Sequence, residues 1–365
     1  MSTGMKRAGI QTWAMFADAY RELNSKKLFW ISLGISGLVV VIMGLLGIDE
    51  EGISIGPWHL GFGMLNSSVL TPGDMYKQVF VNLGIGVWLS WASVILALVS
   101  TAGMFPEFLA NGAIDVLLSK PIGRMRLFLT KYLTGLMFVG LQVLAFTLAS
   151  FLVIGIRGGV WEFGLFVAVP LVTLVFSYLF GVMVLVGVLT RSTIASLLIT
   201  GIVWFVLFLA NSADGIVVHQ HEFQLMRVEA IESKLRDLPA DSTRRARTEE
   251  DLEKARSSAE TWGLWATGMR MGKTVLPKTT ETVDVISRVV RSSANLPESN
   301  EESNLADRDL GPLGARMSER DQRALQKRLE ERFRARPLWW VLGTSVAFEA
   351  VVVGIAAGLF VRRDF

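Results

Sequence analysis

Phe163–Leu189 reads FGLFVAVPLVTLVFSYLFGVMVLVGVL, 27 consecutive residues without a charged side chain. A helix in a soluble protein averages about 11–12 residues and keeps a polar face. Crossing the hydrocarbon core of a bilayer takes about 20 apolar residues. Working outward, the same pattern recurs at Phe29–Ile48, Val79–Phe105, Leu133–Ile156, Ile194–Ala210 and Leu338–Val361. The six stretches hold 139 of the 365 residues, and of the chain's 69 charged side chains only Glu349 lies inside them. A wholly soluble protein and a disordered one are both excluded. The chain has no cysteine, so it has no disulfide framework and no thiolate metal site. The first apolar stretch starts at Phe29 and no small-x-small cleavage site follows it, so it is expected to be a retained helix rather than a signal peptide.

Residues 1–28 are basic and amphipathic. Ile10, Trp13, Phe16, Ala17, Tyr20 and Leu23 recur at steps of three and four. They suit a helix in the membrane interface, or one packed on the protein's own membrane domain. With this end in the cytoplasm, the short inside pieces carry twelve Lys/Arg and the short outside loops carry two, Lys77 and Arg157. That asymmetry predicts a multi-pass protein of the cytoplasmic membrane with both termini inside.

The stretch 211–337 is of another kind, with 22 basic and 22 acidic residues among 127. The count of crossings places it outside, between the fifth and sixth. Long translocated domains do not obey the charge rule. The one candidate for a seventh crossing, Thr261–Leu276, contains Arg270 and Lys273. Phe223, Met226, Ala230 and Ile231 form one narrow apolar stripe, and Leu325, Leu329 and Phe333 another. Stripes of that width pair two helices, as a hairpin stalk or as separate helices on a small core. The expected fold is therefore all-α and integral to the membrane. It has an interfacial helix at 1–28, five transmembrane helices within 29–210 with a loop at 106–132, a helical extracytoplasmic domain at 211–337, and a sixth transmembrane helix with a short tail at 338–365.

The most informative loop follows the second crossing. From Pro106 it reads PEFLANGAIDVLLSKPIGR, ending at Arg124. Ile114, Leu117 and Leu118 make an apolar patch at i, i+3 and i+4. Pro121 stops the helix, and Lys120, Arg124 and Arg126 hold it at the membrane surface. Such a patch suits a groove on a partner protein, although a plain interfacial helix has the same composition. Glu107, Gly112 and the run from Leu117 to Arg124 resemble the first cytoplasmic loop of ABC-2 type transporter permeases. Within that family they look most like permeases grouped with multi-copper enzyme maturation. The family often has Gly-Thr where this chain has Gly112-Ala113. The resemblance implies that Glu107, Gly112, Ile114, Asp115, Leu117, Leu118, Pro121 and Arg124 form a coupling helix that docks on a separate ATP-binding subunit. It also implies a second permease copy, identical or related.

The residues themselves supply no ATP site. The nearest approach to a phosphate loop, Gly268–Thr274, has three residues between its glycines where four are needed. No cofactor, metal or nucleic-acid partner is called for. His219 and His221 lack an evident third ligand besides Glu222. Glu349 is the one intramembrane acid. It is either a substrate or helix–helix contact, or a hydrogen-bonded carboxyl paired with Gln142, Ser177 or Tyr178. The expected function is the permease subunit of an ATP-driven exporter, not itself an enzyme. The alternative is a mechanotransmission or anchoring subunit that moves an extracytoplasmic partner and transports nothing.

Overall fold

A computed structural model describes residues 27–49, 52–56, 58–59, 71–110, 123–239, 243–293, 319–334 and 337–362, with isolated residues between 13 and 24. Six helices among them are long and apolar enough to cross a membrane. They are α1 (Lys27–Leu45), α2 (Pro72–Leu109), α3 (Arg124–Gly158), α4 (Phe163–Thr190), α5 (Thr193–Asp237) and α9 (Leu338–Arg362). Three further helices, α6 (Thr243–Val275), α7 (Thr279–Ser293) and α8 (Glu319–Arg334), lie between α5 and α9. The only strands among the described residues form a small antiparallel sheet after α1: β1 (Leu46–Asp49), β2 (Gly52–Ile55) and β3 (Trp58–His59). The chain is an all-α membrane protein.

Local chemistry sets the helix ends. Thr71 caps α2 by accepting a hydrogen bond from the Asp74 amide at 3.2 Å, and Pro72 occupies the first turn, where its missing N–H costs nothing. The chain leaves α3 through Gly159 at φ 70°, a left-handed position that glycine takes without penalty. It leaves α4 through Arg191 at φ 54°, and Ser192 Oγ then accepts from the Ala195 amide at 3.3 Å to start α5. Within α2, Phe80–Ala92 is a π-helix, wider than the α-helical turns on either side.

The described chain divides into two compact units. The first comprises Met1–Trp204, Thr279–Pro297 and Val346–Phe365. Its centre is α4, whose Phe176, Tyr178 and Phe180 are fully buried. Phe180 stacks on Tyr132 of α3 with ring centroids 5.2 Å apart. Hydroxyls buried in this unit mostly bond back to their own helix, as Thr134 does to the Thr130 carbonyl at 2.7 Å. Ser196 instead ties α5 to α4, donating to the Met183 carbonyl at 2.6 Å. The amphipathic helix α7 belongs to this unit although it falls within 211–337. Its face of Thr282, Val285, Ile286 and Val290 is buried against α4 and the π-helical part of α2, and Arg291 donates to Asn82 there.

The second unit comprises Phe205–Lys278 and Glu298–Ser345. Its core is thin: Leu252, Ala255, Ala259 and Ala266 of α6, Leu207 and Val218 of α5, Leu325 of α8 and Val341 of α9. Ion pairs supplement it. Arg328 of α8 grips Glu229 of α5 through two bonds of 3.0 and 2.6 Å, and Arg332 donates to Glu222 one to two turns away. The order of these pairs makes α5 and α8 antiparallel. The third helix, α6, adds Arg256 to Glu232 at 2.6 Å and a buried pair, Lys273 to Asp214 at 2.8 Å.

Close packing in the first unit is testable at Gly135. A Cβ there would stand 2.5 Å from Phe180 Cζ and 3.3 Å from Met104 Sδ. Gly135→Leu is expected to cost about 1–3 kcal/mol through overpacking. At Gly354 an added Cβ meets nothing within 4 Å, so Gly354→Ala serves as the neutral control. Thermal unfolding in detergent compares the two.

Candidate functional site

Two clusters in the first unit carry the chemistry that the sequence singles out. One is the pair of anchors that hold the ends of the loop between α2 and α3. The other surrounds Glu349.

Of the proposed coupling residues, Glu107 and Arg124 are described. Gly112, Ile114, Asp115, Leu117, Leu118 and Pro121 lie outside the described residues. On the entry side, the short helical turn Pro106–Ala110 follows a break in α2. Pro106 sits against α4 where Gly187 leaves room, since a Cβ there would meet Pro106 Cδ at 3.2 Å. The Glu107 carboxylate folds over Gly103, which has no side chain to obstruct it. Phe108 is buried. Its ring stacks on Phe360 of α9 at 6.4 Å, and Lys131 Nζ of α3 lies 4.9 Å from its centroid.

On the exit side, Arg124 Nη1 donates to the Val361 carbonyl of α9 at 3.1 Å. That carbonyl is in the last turn of its helix, among the four carbonyls that have no amide partner within the helix itself. Both ends of the loop are therefore fastened to one place, the C-terminal turn of α9. Phe105, Phe128 and Phe360 fill the space behind it, with Phe128 5.2 Å from Phe105 and 5.6 Å from Phe360. The sequence signalled Arg124 as a surface anchor. Its partner was illegible, because Val361 acts through a backbone carbonyl 237 residues away.

Glu349 is half-buried on α9 and receives two hydroxyls. Tyr132 Oη of α3 donates to its Oε1 at 2.7 Å, and Ser177 Oγ of α4 bonds its Oε2 at 2.7 Å. Ser177 also lies 2.8 Å from the Leu174 carbonyl of its own helix. Gly181, one turn beyond Ser177, admits the cluster: a Cβ there would meet Val353 at 3.2 Å and approach Glu349 and Tyr132 at 3.9 Å. The cluster thus joins α3, α4 and α9 by polar contacts inside an otherwise apolar bundle. Burial of this kind is tolerable only when the oxygens are bonded.

Of the three sequence candidates at depth, Glu349 alone is seen in this cluster. Gln142 Nε2 donates instead to Ser32 of α1, and Tyr178 is fully buried in α4. Ser177 is among the partners that the sequence offers for Glu349, whereas Tyr132 is not. Tyr132 lies at the edge of a long apolar run and gave no signal beyond being a tyrosine near a helix end.

In the second unit His221 presents Nδ1 to Arg332 Nη1 at 3.2 Å, so a guanidinium lies against one of its two ring nitrogens. The glycine-containing run Gly268–Thr274 lies wholly within α6. Its amides are spent in the helix and cannot wrap a phosphate.

A family model described as ABC-2 family transporter protein matches residues 31–239. No curated protein and no solved structure matches the chain.

The Glu349 cluster can be weighed by stability. Tyr132→Phe is expected to lower stability by about 1 kcal/mol. A double-mutant cycle with Glu349→Gln is expected to give a coupling above about 0.5 kcal/mol. Unfolding in detergent reads both, and strictly additive losses would mean that the two groups do not act together.

Proposed function

The chain belongs to the ABC-2 family of transporter proteins, and from that premise we propose that it is the permease subunit of an ATP-driven exporter whose ATPase is a separate subunit. The observation that carries the reading is the double attachment of the α2–α3 loop to the end of α9, through Phe108 on Phe360 and Arg124 on the Val361 carbonyl. A loop held only by solvent would absorb a push from outside. This one is fastened at both ends to packed helices.

Ile114, Leu117 and Leu118 dock in a groove of the ATP-binding subunit, with Pro121 ending the helix and Arg124 fixing its exit. When two ATPase subunits close on ATP, the docked helix moves with them. Arg124 and Phe108 pass that displacement to α9, and α9 bears on α3 and α4 through Glu349, Tyr132 and Ser177. The driving term is the difference in docking affinity between the open and closed ATPase states. A second permease copy covers part of the exposed apolar faces of α1, α5 and α9. Both termini lie in the cytoplasm, in keeping with the excess of Lys/Arg in the short loops on that side.

A second reading is supported by the ion pairs that tie α5 to α6 and α8. Arg256–Glu232, Arg328–Glu229 and Lys273–Asp214 brace a helical unit that would transmit force to an extracytoplasmic partner without any substrate crossing.

The docking step is tested by Leu117→Asp combined with Leu118→Asp. Two carboxylates cannot enter an apolar groove without a large desolvation cost. Co-purification with the cognate ATP-binding subunit is expected to fall at least about tenfold, equivalent to about 1.4 kcal/mol, while the permease stays monodisperse in detergent. Undiminished co-purification would remove the docking model.

A further inference from the structure

Helix α6 changes character along its length while keeping the same helical path. Its first 18 residues, Thr243–Glu260, carry ten charged side chains, and the following 15, Thr261–Val275, carry two. The change is sharpest on the face turned away from α5. At about 3.6 residues per turn, Arg247, Glu250, Glu253 and Lys254 share that face with Leu264, Trp265, Gly268, Met271 and Gly272. In the distal half the face is ionic, and Lys254 donates to Glu250 at 2.6 Å. In the proximal half it is apolar and uncovered: Leu264 is 76% exposed, Trp265 63% and Met271 70%. A Cβ added at Gly268 or Gly272 would meet nothing within 4 Å. The opposite side carries the buried Ala255, Ala259, Ala266 and Lys273.

The bond between Lys273 and Asp214 sets the level of this face relative to α5. Asp214 lies four residues past Ala210, the last residue of the apolar stretch in α5. At about 1.5 Å per residue this is about 6 Å along the axis. The apolar surface of α5 continues to that level, with Phe205, Val206, Leu209 and Ile216 all exposed. The exposed apolar side of α5 and the apolar face of α6 therefore lie at the same level along the paired helices. The only charges at this level of α6 are Lys273, buried on Asp214, and Arg270, whose long side chain can keep its head in water.

We propose that the Leu264–Gly272 face of α6 is a lipid-contacting surface, seated in the interfacial layer of the bilayer at the end of the α5 span. Trp265 has the amphipathic ring that favours this layer. The distal face, from Arg247 to Lys254, stands in water. The Lys273–Asp214 pair makes the seating tolerable, because each ion neutralises the other where hydration is poor. The stretch Thr261–Leu276 is apolar enough to suggest a crossing and yet carries two cations; it enters the membrane sideways and does not cross it.

The chain has no cysteine, so single nitroxide labels can be placed without removing native thiols. Leu264→Cys, Trp265→Cys and Met271→Cys replace exposed side chains, and Glu253→Cys marks the ionic half of the same face. Each full-length variant is labelled and reconstituted in phospholipid vesicles. Collision rates with molecular oxygen and with a water-soluble nickel chelate are then compared. The proposal expects the oxygen-to-nickel ratio at 265 and 271 to exceed that at 253 several-fold, with 264 on the same side of the divide. Equal ratios at all four sites would overturn it. Labels at 264, 265 and 271 that are immobile and shielded from both reagents would also overturn it, and would assign the face to a second copy of the chain or another protein.

Discussion

The bilayer core contains no water to hydrogen-bond a free peptide group, and almost every feature of the first unit answers to that constraint. Helices satisfy their amides and carbonyls internally, so the spans are helical irrespective of their side-chain propensities. The β-branched and aromatic residues that crowd α4 would favour strands in water. Several polar side chains within the spans find partners in the protein. Thr134 bonds to its own helix, Ser196 reaches the Met183 carbonyl, and Gln142 reaches Ser32. Glu349 is the extreme case, and it receives hydroxyls from two other helices.

The helices of the second unit are held together by other means. The second unit has a thin core of alanines with a few larger residues, and it relies on arginine–carboxylate pairs along α5, α6 and α8. Exposed pairs of this kind contribute little individually, typically about 0–1 kcal/mol. Their effect here is to set register and direction. Lys273–Asp214 differs, because both groups are buried and neither can lose its partner cheaply. Along α6 the outer face passes from ionic to apolar within a few turns.

Helix α9 takes part in both candidate clusters. Its last turn receives Arg124 and Phe108 from the ends of the α2–α3 loop, and Glu349, three turns earlier, joins it to α3 and α4. A displacement delivered at the loop therefore acts on a helix already bonded into the centre of the bundle.

By itself the sequence determined the number of spans, because the free energy of a charge in hydrocarbon is large enough to empty six long stretches of all but Glu349. It also singled out Glu349 as an acid that must be partnered, and the loop from Pro106 to Arg124 as the segment resembling a coupling helix. The choice of partners belonged to the tertiary structure. Tyr132 and Ser177 reach Glu349 from 217 and 172 residues away, and nothing in local periodicity selects them over Gln142 or Tyr178. Arg124 finds a backbone carbonyl, which has no sequence signature at all. The amphipathic α7 reads as part of a charged external segment, yet packs with the membrane bundle, because burial of one apolar face is decided by which surface accepts it. Periodicity specifies that a helix has a face to bury; only the packed chain decides against what.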